Sequence, residues 1–286
     1  MKKILLMMSL GCLLLITVGC KFDQVEANEA STTISSSPEN ETIKKSAIPT
    51  IFIHGYSGGK ASFGHLIGRM EDSNLANKEM TITVNADGSL NPQGKLSHTE
   101  NNPMIQVLFV DNTNTEWAQT DWIREVLLYL KNEQGINEVN LVGHSMGGVS
   151  SLRYLCTYGQ EADLPKVVKF AAIGAPFNDF TDTLDSQTLE ELIENGPSVA
   201  SARYQDYQNL ISNIPTDIPM TIMAGQLSSN EFTDGTVSVT SALSVYQLLQ
   251  VSGFNVSYSI ISKDAQHSQL HENQEVDQLL KDFLWL

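Results

Sequence analysis

From residue 50 to the C terminus, short apolar runs alternate with segments whose apolar residues recur at helical spacing. The clearest helical segment is residues 122–130, where apolar side chains recur every three or four positions on one face. A second helix is predicted directly after residue 145 and a third over residues 276–284. The predicted strands are residues 50–53, 80–85, 106–110, 139–142, 167–173, 220–224 and 256–261. This alternation predicts an α/β fold with a mostly parallel central sheet and helices on both faces.

Residues 177–217 interrupt the alternation and contain two amphipathic helix candidates, 188–194 and 199–211. Because this segment follows a strand, we expect a small helical cap over the carboxyl edge of the sheet, where α/β sheets bind ligands. Most apolar residues of the cap are expected to pack onto the core, and some to face the site and admit an acyl or aryl group. These residues are Leu189, Leu192, Ile193, Val199, Tyr204, Tyr207, Leu210 and Ile211.

Residues 1–19 have the layout of a lipoprotein-type signal peptide. Lys2 and Lys3 precede a nearly continuous apolar stretch, residues 4–18, that is short for a membrane-spanning helix. Small residues and then Cys20 follow, which resembles the bacterial motif whose cysteine is lipidated after cleavage. The alternative interpretation is an ordinary secretory signal with an incidental cysteine.

Residues 20–47 are poor in core-forming side chains and are predicted to be a flexible tether. They lead to a predicted domain at residues 48–286. A lipid on Cys20 would hold this domain at the extracellular face of the cell membrane, and without the lipid the protein would be secreted.

Composition limits the function classes. The 286-residue chain has 17 basic and 33 acidic residues, a net charge of −16, so it lacks the basic surface of a nucleic-acid-binding protein. Its three cysteines are too few for a disulfide framework or a cysteine-type zinc site. Cys156, on a predicted helix, is expected to be a buried structural thiol. The sequence contains no metal, nucleotide or flavin motif, so no cofactor is expected.

A G-x-S-x-G motif spans residues 143–147, between a predicted strand and a predicted helix. This strand–turn–helix setting is that of a nucleophile elbow. In so tight a turn, side chains at Gly143 and Gly147 would collide with the adjoining strand and helix. Ser145 is therefore predicted to be a catalytic nucleophile. The alternative is an idle serine in a glycine-rich turn.

A serine hydroxyl needs a neighbouring base to become a good nucleophile. Only His267 and His271, of six histidines, follow the last predicted strand, where the base lies in this fold. His267 is favoured because it lies nearer that strand. The other histidines lie earlier in the chain, and two of them, in glycine-rich loops, are expected to be architectural. These four are His54, His65, His98 and His144.

An acidic residue must orient the base and stabilise its cation. Asp234 follows the penultimate strand by one loop, within an Asp-Gly turn, and is favoured. Asp179, which follows strand 167–173, is the alternative, and Asp264 lies too close to the histidine in sequence. An oxyanion hole is also required, and the backbone amides of Met146 and Tyr56 are the predicted donors.

Several segments together resemble the family of Gram-positive cell-surface α/β-hydrolases whose domain has no assigned function. They are His54-Gly55, Gly143 to Gly148, Gly174 to Asn178, Asp234-Gly235 and His267 to Asn273. The resemblance covers most of residues 48–286. It implies the α/β-hydrolase fold and the triad Ser145, Asp234 and His267, and it implies no substrate.

These observations favour a serine hydrolase that cleaves carboxylic esters, with a small-molecule or lipid ester as substrate. The same triad could serve an envelope acyltransferase or a thioesterase, since fold alone does not choose between reactions. A surface-tethered binding protein that keeps the fold without turnover is the alternative from another class. The predicted partners therefore include the membrane, through the lipid anchor, and exclude nucleic acid.

Overall fold

The computed structural model describes residues 42–286, which contain an eight-stranded sheet covered by helices. The predicted signal peptide, Cys20 and most of the predicted tether lie outside the described residues. The strands are β1 (Thr50–Ile53), β2 (Asn77–Val84), β3 (Leu90–Gly94), β4 (Pro103–Phe109), β5 (Glu138–His144), β6 (Lys166–Ile173), β7 (Phe177–Phe180), β8 (Met220–Gly225) and β9 (Val256–Ile261).

The strand order in the sheet is β3-β2-β4-β1-β5-β6-β8-β9. Only β3 is antiparallel to its neighbour, because it forms a hairpin with β2 across the turn at Asp87-Gly88. All other neighbouring strands are parallel. The carboxyl ends of the parallel strands therefore lie at one edge, and the loops that follow β1, β5, β8 and β9 meet there.

Helices cover both faces of the sheet, as the alternation of apolar runs predicts. Helices α1 and α8 pack on one face with Phe52 of β1, whereas α2, α3 and α5 to α7 pack on the other with Ile51 and Ile53. The helices are α1 (Lys60–Asp72), α2 (Glu116–Gln134), α3 (Met146–Tyr158), α4 (Leu189–Asn195), α5 (Ala202–Leu210), α6 (Val239–Leu243), α7 (Val245–Val251) and α8 (Gln274–Trp285). Short 3-10 helices span Ile211–Asn213 and His267–Glu272. Over residues 42–286, no helix combines the length and apolarity needed to cross a bilayer.

The sequence pattern did not predict α1, α6, α7 or β7. Helix α1 contains Gly64 and Gly68, which weaken its helical signal, yet it buries Phe63, Leu66 and two further apolar residues against the sheet. Helices α6 and α7 meet at Ser244 and are five and seven residues long, too short to show a helical period. Tertiary packing, rather than local pattern, stabilises these elements.

The insertion between β6 and β8 consists of β7, α4, α5 and the first 3-10 helix. Thr188 and Ser201 cap the two helices, each accepting a backbone hydrogen bond at N3. The predicted helices are thus present, with bounds shifted by up to three residues. Most apolar residues of the cap face the core, and Leu192, Tyr204 and Tyr207 are fully buried there.

The chain joins the domain at the amino edge of the sheet. The Lys44 amide donates to the carbonyl of Trp285 at 2.8 Å, and the Asn102 amide donates to the carbonyl of Ser46 at 2.9 Å. The Asn140 amide donates to the carbonyl of Pro49 at 2.9 Å as the chain enters β1. Ordered contacts therefore already begin within the last residues of the predicted tether.

Candidate active site

Ser145 lies in a strained turn between β5 and α3. Its φ of 55° and ψ of −127° are rare for a residue with a side chain. A Cβ on Gly143 would lie 2.5 Å from the backbone of Gly147, and one on Gly147 would lie 2.2 Å from the carbonyl oxygen of Ile53. Both positions therefore require glycine, because a side chain at either one would overlap neighbouring backbone atoms. The turn holds the serine at the carboxyl edge of the sheet, at the start of α3.

The three residues of the predicted triad are hydrogen-bonded in a row. Nδ1 of His267 lies 2.7 Å from Oδ2 of Asp234, and Nε2 of His267 lies 2.9 Å from Oγ of Ser145. Because a carboxylate oxygen accepts, Nδ1 carries the proton and Nε2 is left to accept from the serine hydroxyl. This tautomer is the one in which a histidine can take a proton from serine.

Asp234 is 1% exposed, in the loop that follows β8. Its Oδ1 accepts hydrogen bonds from the amides of Thr236 and Val237, at 2.9 and 2.7 Å. Its backbone carbonyl accepts from the amide of His267 at 2.8 Å, which ties the two loops together. One carboxylate oxygen is thus held by backbone donors while the other faces the histidine, so the orientation of the imidazole is fixed.

Two further histidines, both buried, hold the loops that carry the site. The buried ring of His144 packs against the ring of His267 at a tilt of 41°, with centroids 4.7 Å apart, and its Nε2 donates to the carbonyl of His267 at 3.0 Å. Burial, reinforced by the neighbouring His267 and His271, lowers the pKa of His144 well below its usual value. His144 therefore stays neutral and acts as a rigid support for the loop of His267.

His54 fixes the loop that follows β1. Its Nε2 accepts from the amide of Phe109 at 3.1 Å, so its Nδ1 donates to the carbonyl of Gly55 at 2.8 Å. Burial lowers the pKa of His54, which keeps this donor–acceptor arrangement. A Cβ on Gly55 would lie 2.6 Å from Cβ of Ser145, so only glycine allows this loop to approach the serine.

The amides of Tyr56 and Met146, the predicted oxyanion donors, lie in the two loops that meet at Ser145. Met146 is the first residue of α3, where backbone amides have no intrahelical acceptor. Between residues 42 and 286, neither amide donates to a protein acceptor. The neighbouring Ser57 amide is held by the carbonyl of Asn112 at 2.8 Å, which fixes the turn that carries Tyr56.

The alternative residues lie elsewhere. His271 contacts Glu272 at 3.0 Å and packs edge-on against the ring of His144. Oδ1 of Asp179 lies 2.7 Å from Nη1 of Arg203 and makes no contact with His267. Asp264 lies exposed in the loop before His267.

A largely buried network of charges that the sequence did not reveal joins α2, α3 and α5. Nη2 of Arg153 donates to Oε1 of Glu116 at 2.5 Å, and Nε of Arg203 donates to Oε2 of the same glutamate at 2.7 Å. Residues 116, 153 and 203 are far apart in sequence, so no local spacing indicates their contact. The only signal was a charged side chain, Arg153, within an apolar helix directly after the elbow.

This network forms the floor of a cleft of about 470 Å³ that also includes Tyr56 and Met146. The cap contributes Asp179, Ala202, Arg203 and Asp206 to its lining. None of the apolar cap residues expected to face the site lines this cleft. The cap therefore meets this cleft with charged side chains, and the expectation of an apolar cap surface is not met here.

Cys156 is fully buried in α3, as predicted, and forms no disulfide. Burial raises the pKa of its thiol to about 12, so the thiol remains protonated. Within the described part of the chain, His, Cys, Asp and Glu side chains form no cluster of three that could hold a metal ion.

The doubly covered, mostly parallel sheet with a serine at a strand–turn–helix elbow defines an α/β-hydrolase. The model of the family described as "alpha/beta hydrolase of unknown function (DUF915)" matches residues 36–286. The chain belongs to this family, which confirms the resemblance and the fold class expected from its sequence.

Two solved structures share the fold over most of the chain. The product of gene lin2722 from Listeria innocua is 27% identical, with a TM-score of 0.75 over 83% of this chain and 93% of that one. A Lactobacillus plantarum WCFS1 protein described as a "putative cell surface hydrolase" is 19% identical, with a TM-score of 0.67 over 83% of this chain and 91% of that one. No curated protein matches this chain in sequence.

Proposed function

We propose that the protein is a serine hydrolase that cleaves carboxylic esters through Ser145, His267 and Asp234. The observation that carries this proposal is the unbroken row of hydrogen bonds from the buried Asp234 carboxylate through His267 to the Ser145 hydroxyl, at 2.7 and 2.9 Å. A serine in that state is activated because the base is oriented and its acceptor nitrogen faces the hydroxyl.

In the first half of the reaction, Oγ of Ser145 attacks the carbonyl carbon of the ester while Nε2 of His267 takes the hydroxyl proton. The carbonyl oxygen becomes an oxyanion, which accepts hydrogen bonds from the amides of Met146 and Tyr56. The tetrahedral intermediate then collapses, the bond to the leaving oxygen breaks, and His267 protonates the departing alcohol. Ser145 is left as an acyl ester.

In the second half, a water molecule attacks the acyl carbon and His267 takes one of its protons. The second tetrahedral intermediate collapses, the acyl–serine bond breaks, and His267 returns the proton to Oγ of Ser145. The carboxylic acid leaves. Asp234 stabilises the imidazolium that forms in both halves and keeps its own charge throughout.

The test is intact-mass analysis of the full-length protein after treatment with a fluorophosphonate probe. One adduct is expected on the wild type and on Ser268→Ala, an exposed serine beside the base, and none on Ser145→Ala. Hydrolysis of p-nitrophenyl acetate by the same three proteins should follow the labelling. A folded wild type that takes up no probe and releases no nitrophenol would overturn the proposal and favour a binding protein on this fold.

We also propose that residues 1–19 are removed and that a lipid on Cys20 holds the enzyme at the outer face of the cell membrane. The support is the sequence alone: two lysines, an apolar stretch and small residues before the cysteine. In cells fed an alkyne-labelled fatty acid, the wild type should carry the label and Cys20→Ser should not. An unlabelled wild type released into the medium would show a secreted enzyme instead.

A further inference from the structure

The cleft beside the oxyanion amides has a charged floor that is already neutralised. Glu116 accepts from both Arg153 and Arg203, and Nη1 of Arg203 also donates to the carbonyl of Pro176 at 2.8 Å. The Arg153 side chain is 1% exposed. Because most of these guanidinium donors have acceptors within the protein, the floor offers little to an anionic substrate.

Two aromatic side chains stand exposed around this floor. Trp117 is 51% exposed and Tyr56 is 57% exposed, unusually high fractions for such large rings. The guanidinium of Arg153 lies 3.5 Å from the centroid of Trp117, so one face of the indole is occupied by a cation. The exposed part of the ring is thereby less suited to a second cation and remains suited to the C–H groups of a neutral ligand.

Two partly exposed carboxylates also line the cleft. The side chains of Asp179 and Asp206 are 40% and 42% exposed, and each has one oxygen directed to an arginine of the floor. In the described part of the structure, the second oxygen of each side chain has no hydrogen-bond donor. An ionised carboxylate only accepts, so these oxygens are suited to ligand hydroxyl groups.

We propose that the substrate is a carbohydrate ester, whose hydroxyl-rich ring lies in this cleft as the alcohol part. This inference rests on the proposed ester hydrolysis and adds the class of alcohol to it. A sugar ring offers C–H groups to Trp117 and Tyr56 and hydroxyl donors to Asp179 and Asp206. A plain alkyl chain would cover the second oxygen of each carboxylate without supplying a donor to it. The ester carbonyl then lies toward the amides of Tyr56 and Met146, since both residues border the same cleft.

The experiment compares two acetate esters with the full-length protein. One is methyl 6-O-acetyl-α-D-glucopyranoside. The other is cyclohexylmethyl acetate, which keeps a six-membered ring on the same CH₂–O–acetyl group and lacks the ring oxygen, the methoxy group and the hydroxyls. The wild type should favour the sugar ester by about tenfold or more in kcat/KM, the effect of one hydrogen bond to a charged group. The ratio of the two kcat/KM values is the readout because it cancels general losses of activity.

Substitutions in the cleft should reduce that ratio. Asp179→Asn and Asp206→Asn weaken acceptance from hydroxyls, and Trp117→Leu removes the flat ring while keeping apolar cover over Arg153. Each should lower the ratio at least about threefold, with the sugar ester losing more than the carbocyclic ester. The control Val251→Ala removes an exposed apolar side chain on α7, outside the cleft lining, and should leave the ratio unchanged.

The possible outcomes distinguish a failure of the carbohydrate inference from a failure of the proposed ester hydrolysis. Labelling of Ser145 and turnover of p-nitrophenyl acetate, together with equal or better use of cyclohexylmethyl acetate, would overturn the carbohydrate inference and leave the esterase intact. A sugar preference that survives all three cleft substitutions would also overturn it. A protein that neither labels nor cleaves any of the esters would overturn the esterase proposal itself.

Discussion

The elbow around Ser145 and the neighbouring cleft share a border, yet they are built in opposite ways. At the elbow, backbone packs against backbone so closely that an added methyl group on Gly143 or Gly147 would overlap it. In the cleft, half-exposed side chains such as Trp117 and Asp179 stand over a buried ion network. The difference indicates that close backbone packing fixes the position of Ser145, whereas side chains form the surface of the cleft. Substitutions should therefore remove activity or fold at the elbow and alter selectivity in the cleft.

The sharpest separation should come from two aspartates close to His267. In Asp234→Asn, the new amide would donate to Nδ1 of His267 and leave the proton on Nε2, which then cannot accept from Ser145. We expect kcat for p-nitrophenyl acetate to fall by about 10⁴-fold. The matched variant Asp264→Asn alters an exposed loop residue with a φ of 50°, a conformation that asparagine tolerates, and should retain activity. Equal losses in both variants would contradict the assigned role of Asp234.

The close backbone packing at the elbow can be tested by replacing single glycines with alanine. A Cβ on Gly147 meets two backbone carbonyls of the β1 end, so Gly147→Ala should lower the free energy of unfolding by about 3 kcal/mol or more. Gly68, inside α1, has no heavy atom within 4 Å of an added Cβ, so Gly68→Ala should raise it by about 0.5–1 kcal/mol. Urea unfolding measures both changes.

If Gly147→Ala does not fold, Gly148→Ala keeps the test open. Its Cβ would meet the side chain of Ala175 at 2.7 Å rather than a β1 carbonyl, so a smaller loss is expected. If Gly148→Ala and Gly68→Ala changed the free energy of unfolding by similar amounts, the elbow would have room for a methyl group. That result would contradict the close packing described above.

The smallest of these effects concerns pH. The pKa of His144 is lowered by burial, so below its unfolded value of about 6.5 the unfolded chain binds a proton that the folded protein does not. The contribution of His144 to the free energy of unfolding is therefore fully present above about pH 6.5 and is lost as the pH falls below that value. The loss from this one residue is at most about 1.4 kcal/mol per pH unit.

Urea unfolding at pH 7.5, 6.0 and 5.0 would measure this dependence. His144→Gln keeps a donor for the carbonyl of His267 and removes the titrating ring, so its stability should fall less steeply with pH than that of the wild type. His98→Gln, on the exposed surface, should leave the slope as it is. An unchanged slope in His144→Gln would contradict the prediction.

The same contrast explains how far the sequence could be interpreted. The central strands and the elbow were predictable because apolar runs and a fixed glycine spacing are local signals. The residues that meet Ser145 were predictable from chain order, as the contacts of His267 with Asp234 and Ser145 show. The roles of these residues stay predictions until the serine is labelled.

The cleft could not be predicted in this way. Glu116, Arg153 and Arg203 come together from three helices, and a charged residue in a helix is ordinarily a solvated one. Most apolar residues of the cap were expected to pack onto the core, and Leu192, Tyr204 and Tyr207 do so. Some were expected to admit an acyl or aryl group, but none of them lines the cleft. Long-range pairing of charges leaves no periodic signal in the sequence, so the cleft became visible only in the folded structure.

The contact between Lys44 and Trp285 fixes the point at which the chain enters the domain. It places the arriving chain at the amino edge of the sheet, and Ser145 follows the opposite end of β5, a strand of seven residues or about 20 Å. Within the described residues, the point of chain entry and Ser145 therefore lie at opposite ends of the sheet, so the entering segment leaves the edge that carries Ser145 uncovered.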